Sequence, residues 1–196
     1  MISKEKTKMA LEKMYAMFPD AVGELEHQTP FQLLIAVILS AQATDVSVNK
    51  VTPHLFAAYP NAEQLANAPL ETITEYIRTI GLYRNKAKNI KRCAQQIMEE
   101  FDGNVPETRE ELMRLAGVGR KTANVVLGDA FNTPAIAVDT HVERVSKRLR
   151  ICKLDASVSE VEETLMRKVP KEDWVKMHHT MIFFGRYHCT ARAPKC

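Results

Sequence analysis

Thr29-Pro30-Phe31-Gln32 opens a segment in which every residue from Leu33 to Leu39 is apolar. A helix that is apolar on nearly every face offers no side to water, so it belongs at the buried centre of a bundle. The run is too short to span a bilayer. Elsewhere apolar residues recur at helical spacing and almost nowhere alternate strictly, while Ala, Leu, Met, Glu, Lys and Arg dominate outside the turns. The pattern predicts an all-α protein.

Helix starts are legible. Thr29 to Gln32, Thr108 to Glu111, Thr140 to Glu143 and Ser157 to Glu160 each fit the capping box. Pro19 and Pro60 close segments, and Gly81 and Gly103 stand where a helix end needs a left-handed residue. These signals predict helices over 4–18, 30–42, 45–58, 61–67, 70–80, 84–101, 108–115, 120–130, 140–150, 158–168 and 171–185, with no repeat and no low-complexity linker.

With 45% apolar and 26% charged residues, the 196-residue chain can build a core, which excludes disordered and collagen-like classes. Four cysteines are too few for a disulfide scaffold, and without a secretory signal they read as thiols or metal ligands in the cytosol. The formal net charge of +3 announces no polyanionic partner, but its distribution says more. Arg84, Lys86, Lys88, Lys91 and Arg92 crowd one stretch, and Arg144, Lys147, Arg148, Arg150 and Lys153 another. Such segregation suits either a solvated helix surface or a face that tracks phosphates.

The most informative stretch is Leu115-Ala116-Gly117-Val118-Gly119-Arg120-Lys121-Thr122-Ala123. Two glycines around a valine predict a tight hairpin between helices. Its backbone amides can approach a phosphate closely and share it with the positive end of the next helix. A turn needed only for packing is the plain alternative. Lys121 falls in the first turn of that helix, where the dipole, with burial, disfavours a second positive charge and so favours a nucleophilic amine. Asp139 follows an extended run, Ala135 to Val138, and stands at the next helix start, where it should stay ionised. The intervening helix climbs about 15 Å, and the eight residues back to Asp139 reach up to about 26 Å. Asp139 can therefore return to Lys121, although a simple N-cap is its other reading.

These residues resemble the helix-hairpin-helix (HhH-GPD) DNA glycosylase superfamily, with its endonuclease III branch the nearest. Leu39-Ser-Ala-Gln-Ala-Thr-Asp45, Ile80-Gly-Leu-Tyr83, the Leu115–Ala123 block, Val138-Asp-Thr-His141 and His179 to Cys189 fall in the family's order. The resemblance implies two helical domains with a DNA-binding cleft between them: a six-helix domain over 22–133, and a second from 1–21 and 134–196. It implies removal of oxidised pyrimidines from duplex DNA and nicking of the abasic site through a lysine Schiff base, with Lys121 as nucleophile and Asp139 as its partner. Gln42 then fills the space left by the extruded base and Leu82 is the apolar wedge. Gly117, Val118, Gly119 and Arg120 grip DNA, and His141 and Asp45 are candidates for the base pocket. The proline usual before the hairpin glycines is Ala116 here, which should loosen the turn slightly.

The family ends in four cysteines spaced C-x6-C-x2-C-x5-C around a 4Fe-4S cluster. Only Cys189 and Cys196 match, two of the four ligands, so the expectation is a chain that stops short of the rest. Cys93 and Cys152 do not fit the motif. A zinc site from His178, His179, His188, Cys189 and Cys196 is the alternative. Competing functions are a non-catalytic helix-hairpin-helix clamp on duplex DNA and an electron carrier. The expected partner is duplex DNA with a damaged pyrimidine or abasic site, met by a monomer without membrane attachment.

Overall fold

The computed structural model describes residues 1–195, which form two compact units, one over Glu24–Asn132 and one joining Met1–Gly23 to the chain from Thr133 onward. The chain starts in the terminal unit with α1 (Lys4–Met17). It then builds the central unit from α2 (Pro30–Ser40), α3 (Asp45–Asn49), α4 (Thr52–Ala58), α5 (Ala62–Asn67), α6 (Leu70–Tyr76), α7 (Tyr83–Glu100), α8 (Arg109–Leu112) and α9 (Arg120–Phe131). It returns to the terminal unit with α10 (Thr140–Arg148), α11 (Val158–Lys168), a 3₁₀ turn (Lys171–Asp173) and α12 (Trp174–Tyr187). Among the described residues there is no strand, only an isolated antiparallel bridge between Cys189 and Pro194. No helix among them is long and apolar enough to cross a membrane.

In the central unit every residue from Phe31 to Leu39 is buried, with α7 and α9 packed on α2. Burial of each of its large aliphatic side chains is worth roughly 1.5–3 kcal/mol. The long helix α7 turns one stripe inward: Lys86, Ala87, Ile90, Cys93, Ala94 and Ile97. In the terminal unit, Leu11 and Met14 of α1 share a core with Val142, Val145, Val161, Leu165, Met177 and Met181. Lys168 Nζ fastens the N-terminal segment to the loop after α10 there, donating to the carbonyls of Ile2 at 2.7 Å and Ile151 at 2.6 Å.

The departures from the predicted helices have local causes. The segment 45–58 divides into α3 and α4 because Pro53 has no N–H for the preceding turn. The helix from Pro30 ends at Ser40, since Gln42 is left-handed with φ +55°. Gly103 is left-handed as expected, but at the start of α7 the left-handed residue is Leu82, φ +61°, and not Gly81. Ser157 and Glu160 form a complete capping box, and the Thr29 and Thr108 hydroxyls accept from the Gln32 and Glu111 amides. Thr140 does not cap α10, because the neighbouring Asp139 does.

Candidate active site

In the central unit the hairpin assigns its two glycines different tasks. Gly117 has φ +79°, and a Cβ there would lie 3.1 Å from both Asn89 Cβ and Ile38 Cγ2, so backbone and packing both require glycine. Gly119 has φ −94°, and nothing lies within 4 Å of the position its Cβ would take. No internal contact demands glycine at that position. Gly119 is also the N-cap of α9 and offers no side chain to the first-turn amides. A long helix with an uncapped, bare-backbone start is receptive to an anion.

Arg120 and Lys121 occupy that first turn, both exposed. The burial expected at Lys121 is therefore absent. Val118, expected among the DNA contacts, turns inward: its side chain is buried and its N–H donates to the Leu115 carbonyl at 3.2 Å. The loosening expected at Ala116 is countered, because an alanine keeps the N–H that proline lacks. That N–H donates to Gln96 Oε1 at 2.8 Å, while Gln96 Nε2 donates to the Arg114 carbonyl at 3.0 Å. One side chain of α7 thus pins both sides of the turn's entry.

Gln42 and Leu82 are exposed, Leu82 at 59%, and together with Gly117 they border one cavity of about 160 Å³. Asp45 lies in the first turn of α3, behind its N-cap Thr44.

In the terminal unit Asp139 is held on both carboxylate oxygens. Oδ1 accepts from the amides of His141 at 2.9 Å and Val142 at 2.8 Å, and Oδ2 accepts from His141 Nδ1 at 3.0 Å. Since a carboxylate only accepts, Nδ1 carries the proton. The side chains are 19% and 26% exposed. Burial pushes the Asp139 carboxyl up, but the His141 hydrogen bond, the Val142 amide and electrostatic interaction with His141 and His178 outweigh it and bring it down to about 2. Such a group is a fixed anion at neutral pH.

Much of the two basic runs is bonded within the protein, while Arg84, Lys88, Arg150 and Lys153 are exposed. Lys86 is buried on the Leu39 carbonyl, Lys91 bonds the carbonyls of Ala66 and Ala68, and Arg92 pairs with Glu99. Arg144 donates to the Gly185 carbonyl at 2.7 Å, Lys147 pairs with Glu143, and Arg148 donates to Thr190 at 2.6 Å and Ala191 at 2.9 Å. Hydropathy alone hides these roles. For Lys86 the signal was present, since it stands four residues before Ile90 on the buried stripe of α7.

A 4Fe-4S cluster needs four thiolates. Cys93 is buried in the central unit, where burial pushes its thiol up to about 12, and Cys152 is buried in the terminal unit with its pKa also raised. Cys189 is buried beyond the end of α12, and Cys196 lies outside the described residues. No group of three or more His, Cys, Asp or Glu among the described residues is placed to hold a metal ion. The described residues therefore assemble neither the expected cluster nor the zinc arrangement.

Residues 35–171 match the sequence profile of the HhH-GPD superfamily base excision DNA repair proteins. The chain belongs to this superfamily. Within the superfamily it is similar to endonuclease III of Bacillus subtilis (strain 168), 57% identical over 196 residues, covering all of this chain and 90% of the relative. Endonuclease III of Escherichia coli (strain K12) is 46% identical over 195 residues, covering 100% of this chain and 92% of its own. Among solved structures, a trapped endonuclease III–DNA covalent intermediate, an estranged-adenine complex, matches with a TM-score of 0.97 at 57% identity. That match covers all of this chain and 92% of that one.

Proposed function

We propose that this base excision repair glycosylase and lyase removes oxidised pyrimidines from duplex DNA with Lys121 as nucleophile and Asp139 as a fixed counter-charge. The enzyme works on genomic duplex in the cytoplasm, as a monomer. The Gly117–Gly119 turn and the α9 amides hold a phosphate, with Arg120 beside them. The damaged nucleotide leaves the stack, at a few kcal/mol that damage reduces. Gln42 and Leu82 enter the vacated space, and His141 and Asp45 border the extruded base.

The Lys121 amine then attacks C1′ as the C1′–N bond to the base breaks. Ring opening gives an imine between Nζ and C1′. Loss of a C2′ proton and departure of the 3′ phosphate cut the strand, and water releases the lysine. Positive charge develops on the sugar as the base leaves, and a carboxylate with a pKa of about 2 opposes that charge while hardly accepting a proton at pH 7. Asp139 therefore acts through its charge, and water exclusion at the exposed amine falls to the bound strand.

The observation that carries this reading is a lysine exposed in the first turn of a helix whose N-cap is an unobstructed glycine. Borohydride added during reaction with a thymine glycol or abasic-site duplex should trap a protein–DNA adduct. Lys121→Gln should abolish trapping while binding persists. Trapping that survives the substitution contradicts the assignment, and binding without any incision by the unaltered chain leaves only a DNA clamp.

A further inference from the structure

The cavity bordered by Gln42 and Leu82 has at its edge a lysine that turns away from solvent. Lys86 is 5% exposed, and its Nζ donates to the Leu39 carbonyl at 2.9 Å. Leu39 lies in the last turn of α2, where a helix leaves four carbonyls without intrahelical partners. Val37 is met by the Ser40 hydroxyl at 2.8 Å, Ile38 by the Ala41 amide at 3.4 Å, and Ser40 by the Ala43 amide at 3.0 Å. Of these four carbonyls, Leu39 is the one met from another helix.

The same lysine closes the second loop. Its backbone N–H donates to the Leu82 carbonyl at 3.1 Å, opening the hydrogen-bond ladder of α7. One residue therefore holds both the Leu82 carbonyl and the carbonyl three positions before Gln42. Both of those residues are left-handed without being glycine, a conformation that persists only where its surroundings dictate it. Burial lowers the pKa of Lys86, so the ammonium is disfavoured where it sits. An aliphatic side chain of the same length would fill the space without that penalty.

We infer that Lys86 is a positioning residue for lesion recognition, fixing the spacing of Gln42 and Leu82 so that both side chains enter the DNA stack together. This rests on the insertion roles proposed above.

The test compares the full chain with Lys86→Met, which keeps the aliphatic length and removes the donor. The probes are a duplex carrying a tetrahydrofuran abasic analogue opposite 2-aminopurine and the same duplex undamaged. In Lys86→Met, affinity for the abasic duplex should fall about tenfold while the undamaged duplex binds within about twofold, and neither value should move in a Gln42→Ala/Leu82→Ala background. The 2-aminopurine fluorescence rise at saturating protein should fall with it. Preference and fluorescence left intact, or equal losses in the double-variant background, overturn the inference. If Lys86→Met loses its helical circular dichroism, Lys86→Leu, which also lacks the donor, is measured in the same way and judged by the same outcomes. An unaltered chain with no preference for the abasic duplex removes the insertion roles themselves, and this inference with them.

Discussion

The starts of α9 and α10 hold the two residues assigned to the chemistry, and they treat their first-turn amides in opposite ways. At α9 the N-cap is Gly119, with no side chain and open space where a Cβ would sit, and Lys121 stands exposed two residues later. At α10 the N-cap is Asp139, whose Oδ1 accepts from two first-turn amides and whose Oδ2 takes the His141 ring. One helix start is left receptive to an outside anion, while the other has filled itself with its own carboxylate. A helix end becomes a ligand site only when its cap is missing. A capped end yields instead a carboxylate locked in its charged form. Capping and catalysis are therefore compatible for Asp139, because the His141 ring and the Val142 amide that it bonds hold its pKa down.

Exchanging the lysine breaks the contrast most severely: Lys121→Gln should lower incision of an abasic duplex on the order of 1,000-fold or more, with binding measured alongside as the control. Asp139→Asn should lower base release by about 100-fold, measured in single turnover, while duplex binding changes only a few-fold. The pH dependence of stability sharpens the same point. The Asp139 pKa is depressed, so its contribution is complete above the unfolded value near 4 and is lost as pH falls toward about 2. Over that window the unaltered chain should lose about 2 kcal/mol more stability than Asp139→Asn, read from urea midpoints at stepped pH.

The glycines test the other side of the comparison. Gly117→Ala should cost roughly 1–2 kcal/mol of stability because it forces a left-handed alanine into contact with Asn89 and Ile38. Gly119→Ala should leave stability within about 0.5 kcal/mol yet weaken duplex binding in low salt. If both variants lose stability equally, Gly119 is a packing residue. Gln96→Ala should cost about 1 kcal/mol by freeing the Ala116 and Arg114 groups it now pairs.

The all-helical class and the central α2 were legible in the sequence because an unbroken apolar run and side-chain caps are local signals. The hairpin and the placement of Lys121 and Asp139 at helix starts were legible for the same reason, since those starts are marked by their own residues. The cap of α10 was left between Asp139 and Thr140 because both carry capping side chains, and geometry chooses Asp139. Gly81 drew the left-handed role on its propensity, whereas the left-handed residue is Leu82, directly before the first residue of α7. The bonding of the basic runs was not legible, because Lys86, Lys91, Arg144 and Arg148 find carbonyl partners 23 or more residues away in sequence. Gln96 escaped notice because its task depends on an alanine 20 residues further along the chain.

The most direct measurement is to reduce the reaction intermediate with borohydride, digest the adduct and locate the modified residue by mass spectrometry. The account predicts the deoxyribose remnant on the peptide containing Lys121, at its Nζ. A remnant on the amino terminus or on any other lysine would contradict it.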